Sequence, residues 1–118
     1  MSLKNNMIKH AYTMKDVQID SPFKKFPDYV VFRHKNSGKW FGLVMTVEKR
    51  KLGIDADGSI DIMDVKADPE IISILRESPG CLSAYHMNKN HWITLFLDGT
   101  IEEKQLLNLL KGSYTLTS

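Results

Sequence analysis

The sequence predicts an α+β domain in which an antiparallel sheet of about four strands carries its helices on one face, in the order (α)-β-β-β-α-β-α. Three observations lead there. Tyr29–His34 and Lys39–Glu48 are rich in β-branched and aromatic residues and are joined by the turn residues Asn36-Ser37-Gly38. A third strand of mixed pattern, Ser59–Lys66, follows Asp57-Gly58, and strands connected this closely pair antiparallel. Two apolar stripes of helical period flank the last strand, which gathers helices on the sheet rather than between parallel strands.

Taken in order, Met7, Ile8, Ala11 and Met14 fall at helical spacing and predict a short leading helix. Asp20-Ser21-Pro22 and Phe26-Pro27-Asp28 interrupt helix, because each proline drives its predecessor toward extended geometry. In the run from Lys39, period-two alternation puts Phe41, Leu43, Met45 and Val47 on the core face, and Trp40, Gly42, Val44 and Thr46 opposite. Lys49-Arg50-Lys51-Leu52-Gly53 reads as a basic turn. Asp68-Pro69-Glu70 opens the next helix, with Asp68 as a capping acceptor, Ile71, Ile72, Ile74 and Leu75 as its buried stripe, and Ser78-Pro79-Gly80 as its stop. His91–Leu97 alternates again, Ile93, Leu95 and Leu97 against Trp92, Thr94 and Phe96. Thr100 and Glu103 have the spacing of a capping box, Leu106, Leu107, Leu109 and Leu110 give the final helix its stripe, and Gly112 is placed to end it.

Composition limits the function classes. The 118 residues are 42% hydrophobic and 25% charged, the balance of one folded domain spanning 1–118 rather than of a disordered chain. No apolar run nears the ~20 residues of a membrane span, and the polar start has no signal-peptide core, so no membrane partner and a cytoplasmic location are expected. The single cysteine, Cys81, agrees with a reducing compartment. Net charge is only +2, yet residues 1–53 hold 11 Lys/Arg against 4 Asp/Glu, and the remainder 5 against 10. Whether that asymmetry survives as a basic face depends on folding. Oligomeric state is not legible, with a monomer favoured.

Chemistry-bearing residues concentrate in one place. Asp55, Asp57, Ser59 and Asp61 resemble a calcium loop in spacing, but Ile60 and Lys66 stand where glycine and a bidentate glutamate are required. Cys81, His86 and His91 are zinc-ligand types without the spacing of a closed site, and a Cys-His nucleophile pair there lacks an orienting group, so no metal, cofactor or catalytic residue is assigned. The densest segment is Tyr85-His86-Met87-Asn88-Lys89-Asn90-His91-Trp92. It reads either as a tight connection braced by its own side chains or as a recognition loop in which Lys89 and a histidine meet an anion while an aromatic stacks. Lys49, Arg50 and Lys51 suit a phosphate backbone, with Lys24 and Lys25 as additions, and equally suit a solvated turn.

Phe26-Pro27, Gly38-Lys39-Trp40-Phe41, Lys66-Ala67-Asp68-Pro69-Glu70, the Tyr85–Lys89 string with His91-Trp92, and Ser113-Tyr114 together resemble the MmcQ/YjbR family over about residues 23–116. The resemblance implies a small α+β fold similar to the frataxin-like CyaY group, of double-wing type, and a DNA-binding role with DNA as partner. It carries His86, Asn88, Lys89, His91 and Trp92 over as motif residues, with Lys39 and Lys66 beside them. The chain departs from the pattern at Ser83, where many members have proline. A frataxin-type iron function is not implied, because the leading segment lacks an acidic ridge.

Three functions are therefore expected in contention. The first is a non-enzymatic nucleic-acid-binding module using Lys49, Arg50, Lys51, Lys89, His91 and Trp92. The second is a small-molecule or anion-binding domain whose pocket is built by His86, Asn88, Lys89 and His91. The third is a protein-interaction domain using a Trp40/Trp92 face.

Overall fold

Six strands form one antiparallel sheet in the computed structural model, which describes residues 2–118. They are β1 (Val17–Asp20), β2 (Val30–His34), β3 (Trp40–Glu48), β4 (Ser59–Lys66), β5 (Cys81–Ser83) and β6 (Trp92–Phe96), in the spatial order β1-β2-β3-β4-β6-β5. The helices are α1 (Leu3–Tyr12), α2 (Pro69–Leu75) and α3 (Glu103–Thr117). Met7 and Ala11 of α1, Ile72 of α2, and Leu106 and Leu110 of α3 all enter one core cluster, so the helices share a face as the sequence pattern requires.

The central strands and the leading helix lie where the sequence places them; β1 and β5 are additional. Both are edge strands of four and three residues, too short to carry a period-two signal. Cys81, which belongs to none of the elements expected from sequence, pairs with Leu95 across β5 and β6.

The expected core face of β3 is corrected by a bulge. Phe32 pairs with Gly42 while Arg33 pairs with Trp40, which leaves Phe41 as the extra residue. Phe41 therefore turns toward the helices, where its ring lies 5.1 Å from that of His34 and 5.2 Å from that of Tyr114. Leu43, Met45 and Val47 turn to the opposite side, and Val44 joins the helix-covered cluster. Gly42 permits the close approach: a Cβ there would meet Phe32 at 2.6 Å and Leu110 at 3.3 Å.

The helix ends also differ from expectation. α3 runs through Gly112 to Thr117, because Ser113 anchors it: its hydroxyl donates to the Phe41 carbonyl at 2.6 Å and accepts from the Lys66 N–H at 2.9 Å. Thr117 adds a bond of 2.8 Å between its hydroxyl and His34 Nε2. The N-cap of α3 is Glu102, with no side-chain capping bond, while Thr100 belongs to the preceding turn and donates its N–H to Asp98 at 3.0 Å. Asp68 occupies the N-cap of α2 in extended geometry but makes no side-chain capping bond. That seven-residue helix buries Ile72 alone, leaving Ile71 at 45% and Ile74 at 70% exposure, since so short a helix presents one turn to β6.

Removing the Ser113 hydroxyl leaves a buried carbonyl and N–H without their partner. S113A is expected to lower the unfolding free energy by about 2 kcal/mol, read as a reduced urea midpoint at unchanged slope.

Candidate functional site

Three helices lie on one face of a sheet whose other face is also apolar. Tyr29, Val31, Leu43, Met45, Val47, Ile60 and Ile62 form a second buried cluster there. Its cover is made of connections. Phe23, from the segment before β2, and Leu52, from the 3₁₀ turn Lys49–Leu52, pack on it together with Tyr85 and Met87 of the loop before β6. The cover is incomplete, and a cleft of about 420 Å³ stays open between the segment before β2 and the loop before β6. The rings of Phe23, Phe26, Tyr29 and Trp40 form its walls with Leu43, and His86 and Met87 complete the lining. Phe23 stands edge-on to both Tyr29 and Trp40 with centroids 6.1 Å away in each case. Phe26 stacks on Tyr29 at 4.6 Å yet remains 43% exposed. Burial, then the neighbouring Tyr85 and Asp28, pushes the Tyr29 phenol up.

The loop bearing His86 is tied down from below. The Tyr85 N–H donates to the Thr94 hydroxyl at 2.9 Å, and that hydroxyl donates to Asp64 Oδ1 at 2.5 Å. Asp64, paired with Leu43 on β3 and Thr94 on β6, is completely buried, and its Oδ2 has no hydrogen-bond partner. Burial pushes its carboxyl up to about 7, against smaller lowering by the Thr94 bond and the Lys89 charge. Asn88 braces the far end of the loop: its side chain accepts from the Asn90 N–H at 2.8 Å and its carbonyl accepts from the Trp92 N–H at 2.9 Å. Lys89 folds back to donate to the Ala84 carbonyl at 3.1 Å, while its own carbonyl accepts from Arg76 at 2.6 Å. Within this frame His86 takes a left-handed backbone, φ 68°, its ring 3.9 Å from that of Tyr85. A non-glycine residue there costs on the order of 1 kcal/mol and persists only where its surroundings hold it.

The residues singled out from sequence are separated by this arrangement. His86 lines the aromatic cleft, whereas Lys89 borders a second groove of about 290 Å³ together with Lys51, Leu52, Ser83 and Tyr85. Asn88 is a brace, and His91 lies exposed just before β6, its carbonyl accepting from the Ala67 N–H. The expected single pocket of His86, Asn88, Lys89 and His91 is thus replaced by two adjoining ones. Trp92 is 8% exposed, its ring packed rather than presented for stacking, and it shares no open face with Trp40. Arg50 turns back to Asp57 at 2.9 Å and Asp55 at 3.3 Å, so it is not a free cation at the tip. Lys49 is half-buried and Lys51 exposed. Cys81 belongs to the helix-covered cluster while His86 lies on the other face, which separates the zinc-ligand types and the Cys-His pair across the sheet. Burial also pushes the Cys81 thiol up, away from nucleophilic reactivity.

Sequence reasoning singled out Trp40 but missed the other cleft walls and Asp64. The walls had a signal in Phe23, Phe26 and Tyr29, spaced by threes around Pro27. Asp64 had one as a lone carboxylate inside the apolar run Ile60–Val65.

The model of the YjbR family matches residues 6–116. The chain belongs to the YjbR family. It is 39% identical to the uncharacterised Bacillus subtilis protein YyaQ over 117 residues, 99% of each chain. It is 31% identical to the uncharacterised Escherichia coli K12 protein YjbR over 75 residues, which span 63% of this chain and 55% of that one. A Pseudomonas syringae crystal structure superposes with TM-score 0.92 at 42% identity, covering 97% of both chains. A Deinococcus radiodurans crystal structure with a DUF419 domain gives 0.76 at 27% identity, covering 98% of this chain and 78% of that one. The YjbR match takes in most of α1, which the sequence resemblance from residue 23 did not reach. Among the described residues no helix is long and apolar enough to cross a membrane.

Asp64 makes this YjbR-family chain sensitive to pH in a defined direction. Its folded pKa lies above the unfolded value of about 3.9, so between the two the folded state holds a proton that the unfolded state has lost. Stability from this group is full below about pH 4 and falls as pH rises toward 7, by on the order of 4 kcal/mol. Urea unfolding at pH 4.5 and 8.5 checks it: D64N should gain several kcal/mol relative to the parent between those values, and parallel pH profiles would refute it.

Proposed function

We propose that this YjbR-family chain is a non-enzymatic ligand-binding domain that holds a flat, largely apolar ring in the cleft beside His86. The observation that carries the reading is the convergence of Phe23, Phe26, Tyr29 and Trp40 on a cleft open to solvent. Small-molecule sites are concave and mostly apolar, with few polar groups to orient the ligand, and this cleft offers aromatic faces and edges with one imidazole. The strained backbone of His86 supports the same reading, since the Thr94 and Asn88 bonds that hold it also keep the cleft wall in place.

Nucleic-acid binding is the second reading, and its specific support is that Lys51 and Lys89 border one groove on the loop-covered face. Against it, residues 48–58 carry three cations and three carboxylates, with Arg50 committed to two of the latter, and Trp92 is buried. A duplex oligonucleotide titrated by anisotropy separates the readings: no binding at 50 mM salt, or binding indifferent to salt, removes DNA as the partner.

The W92F variant leaves Trp40 as the sole tryptophan and a reporter of the cleft. Titration with N-phenyl-1-naphthylamine is expected to quench Trp40, and F23A should weaken that binding by about ten-fold, the loss of one ring contact. An unquenched Trp40, or equal affinity in F23A, would show that the cleft is not the site.

A further inference from the structure

The two openings on the loop-covered face adjoin each other. Tyr85 borders the lysine groove, His86 borders the aromatic cleft, and their rings touch at 3.9 Å between centroids. Leu52, beside Lys51, packs on the same buried cluster as Phe23 and Trp40, so cleft and groove share one sheet face. Their chemistry is complementary. The cleft is lined by rings, Leu43 and Met87, whereas the groove brings Lys51 from the 3₁₀ turn and Lys89 from the loop together with the Ser83 residue of β5, and among the described residues no carboxylate lines it. Among the described residues Lys51 makes no ion pair, and the Lys89 ammonium donates to the Ala84 carbonyl, a neutral acceptor that an anion would outcompete; the buried Asp64 carboxyl feels the Lys89 charge but makes no ion pair with it.

Resting on the cleft as a ring-binding site, we infer that cleft and groove are two halves of one site for an aromatic ring bearing a phosphate, the chemistry of a nucleotide. The ring lies among Phe23, Tyr29 and Trp40, the sugar passes over the Tyr85-His86 pair, and the phosphate is met by Lys51 and Lys89. The cleft volume of about 420 Å³ suits one base rather than a run of bases. The balanced charge of residues 48–58 provides no track for a longer polyanion, so the ligand is a free mononucleotide and not a strand.

The test uses the full chain carrying W92F, with Trp40 fluorescence as the readout and AMP, GMP, adenosine, guanosine and a dA10 oligonucleotide as probes. At least one mononucleotide should bind about ten-fold more tightly than its nucleoside, and the advantage should shrink with added salt. K51A should abolish the advantage while leaving N-phenyl-1-naphthylamine affinity unchanged, and because Lys51 makes no bond to the loop, the fold of the cleft is not at risk. K89A should do the same to the advantage, with circular dichroism to confirm its fold. Nucleoside and nucleotide binding equally, or the apolar probe binding while no nucleotide does, would overturn the phosphate half and leave the ring site standing. Failure of every probe would overturn both. Affinity for dA10 far above that for AMP would overturn the assignment to a free mononucleotide.

Discussion

The constraint behind this structure is that the sheet has two apolar faces while the three α-helices among the described residues all lie on one of them. The other face must still be taken out of water, because leaving its seven buried residues exposed would forgo roughly 1.5–3 kcal/mol for each large side chain. Connections do that work here. Loops cover a sheet less completely than helices do, since their backbone groups need partners and their side chains are not arrayed at a regular spacing. The open cleft among Phe23, Phe26, Tyr29 and Trp40 is the part of that face the connections leave uncovered.

What keeps the cover in register is the bond sequence from Tyr85 through Thr94 to Asp64. It places a carboxyl in the middle of an apolar face, an arrangement that opposes ionisation and would destabilise the fold were the proton not retained. Valine or leucine in place of Asp64 would pack that position at less cost but would leave the Thr94 hydroxyl, which accepts the Tyr85 N–H, without an acceptor for its own proton. The polar group is thus best understood through what it positions: the Tyr85-His86 pair at the boundary between cleft and groove. On the helix side Ser113 has a comparable role, joining α3 to a carbonyl of β3 and an N–H of β4 with one hydroxyl.

Much of the fold was legible because long elements repeat their pattern. The alternation of β6, the leading helix and the placement of helices on one face follow from side-chain period, and the start of β4 from the Asp57-Gly58 turn before it. The misreadings share a cause: each rests on a contact between residues distant in sequence. Phe41 changes face because Phe32 and Gly42 pair around a bulge, α3 passes Gly112 because Ser113 reaches β3 and β4, and β1 and β5 exist because a neighbouring strand offers them hydrogen bonds. Local pattern holds no trace of any of these.

The segment from Tyr85 to Trp92 shows the same division. Its residue types alone marked it as chemically dense and, through the resemblance they carry, marked the chain for the YjbR family to which it belongs. Only the tertiary structure decided that Trp92 is packed, that Asn88 is a brace, that Arg50 is neutralised by Asp55 and Asp57, and that His86 and Lys89 look into different openings. The physical reason is that residue type determines which bonds a side chain is able to make, whereas burial and partner are set by whatever the rest of the chain brings alongside it.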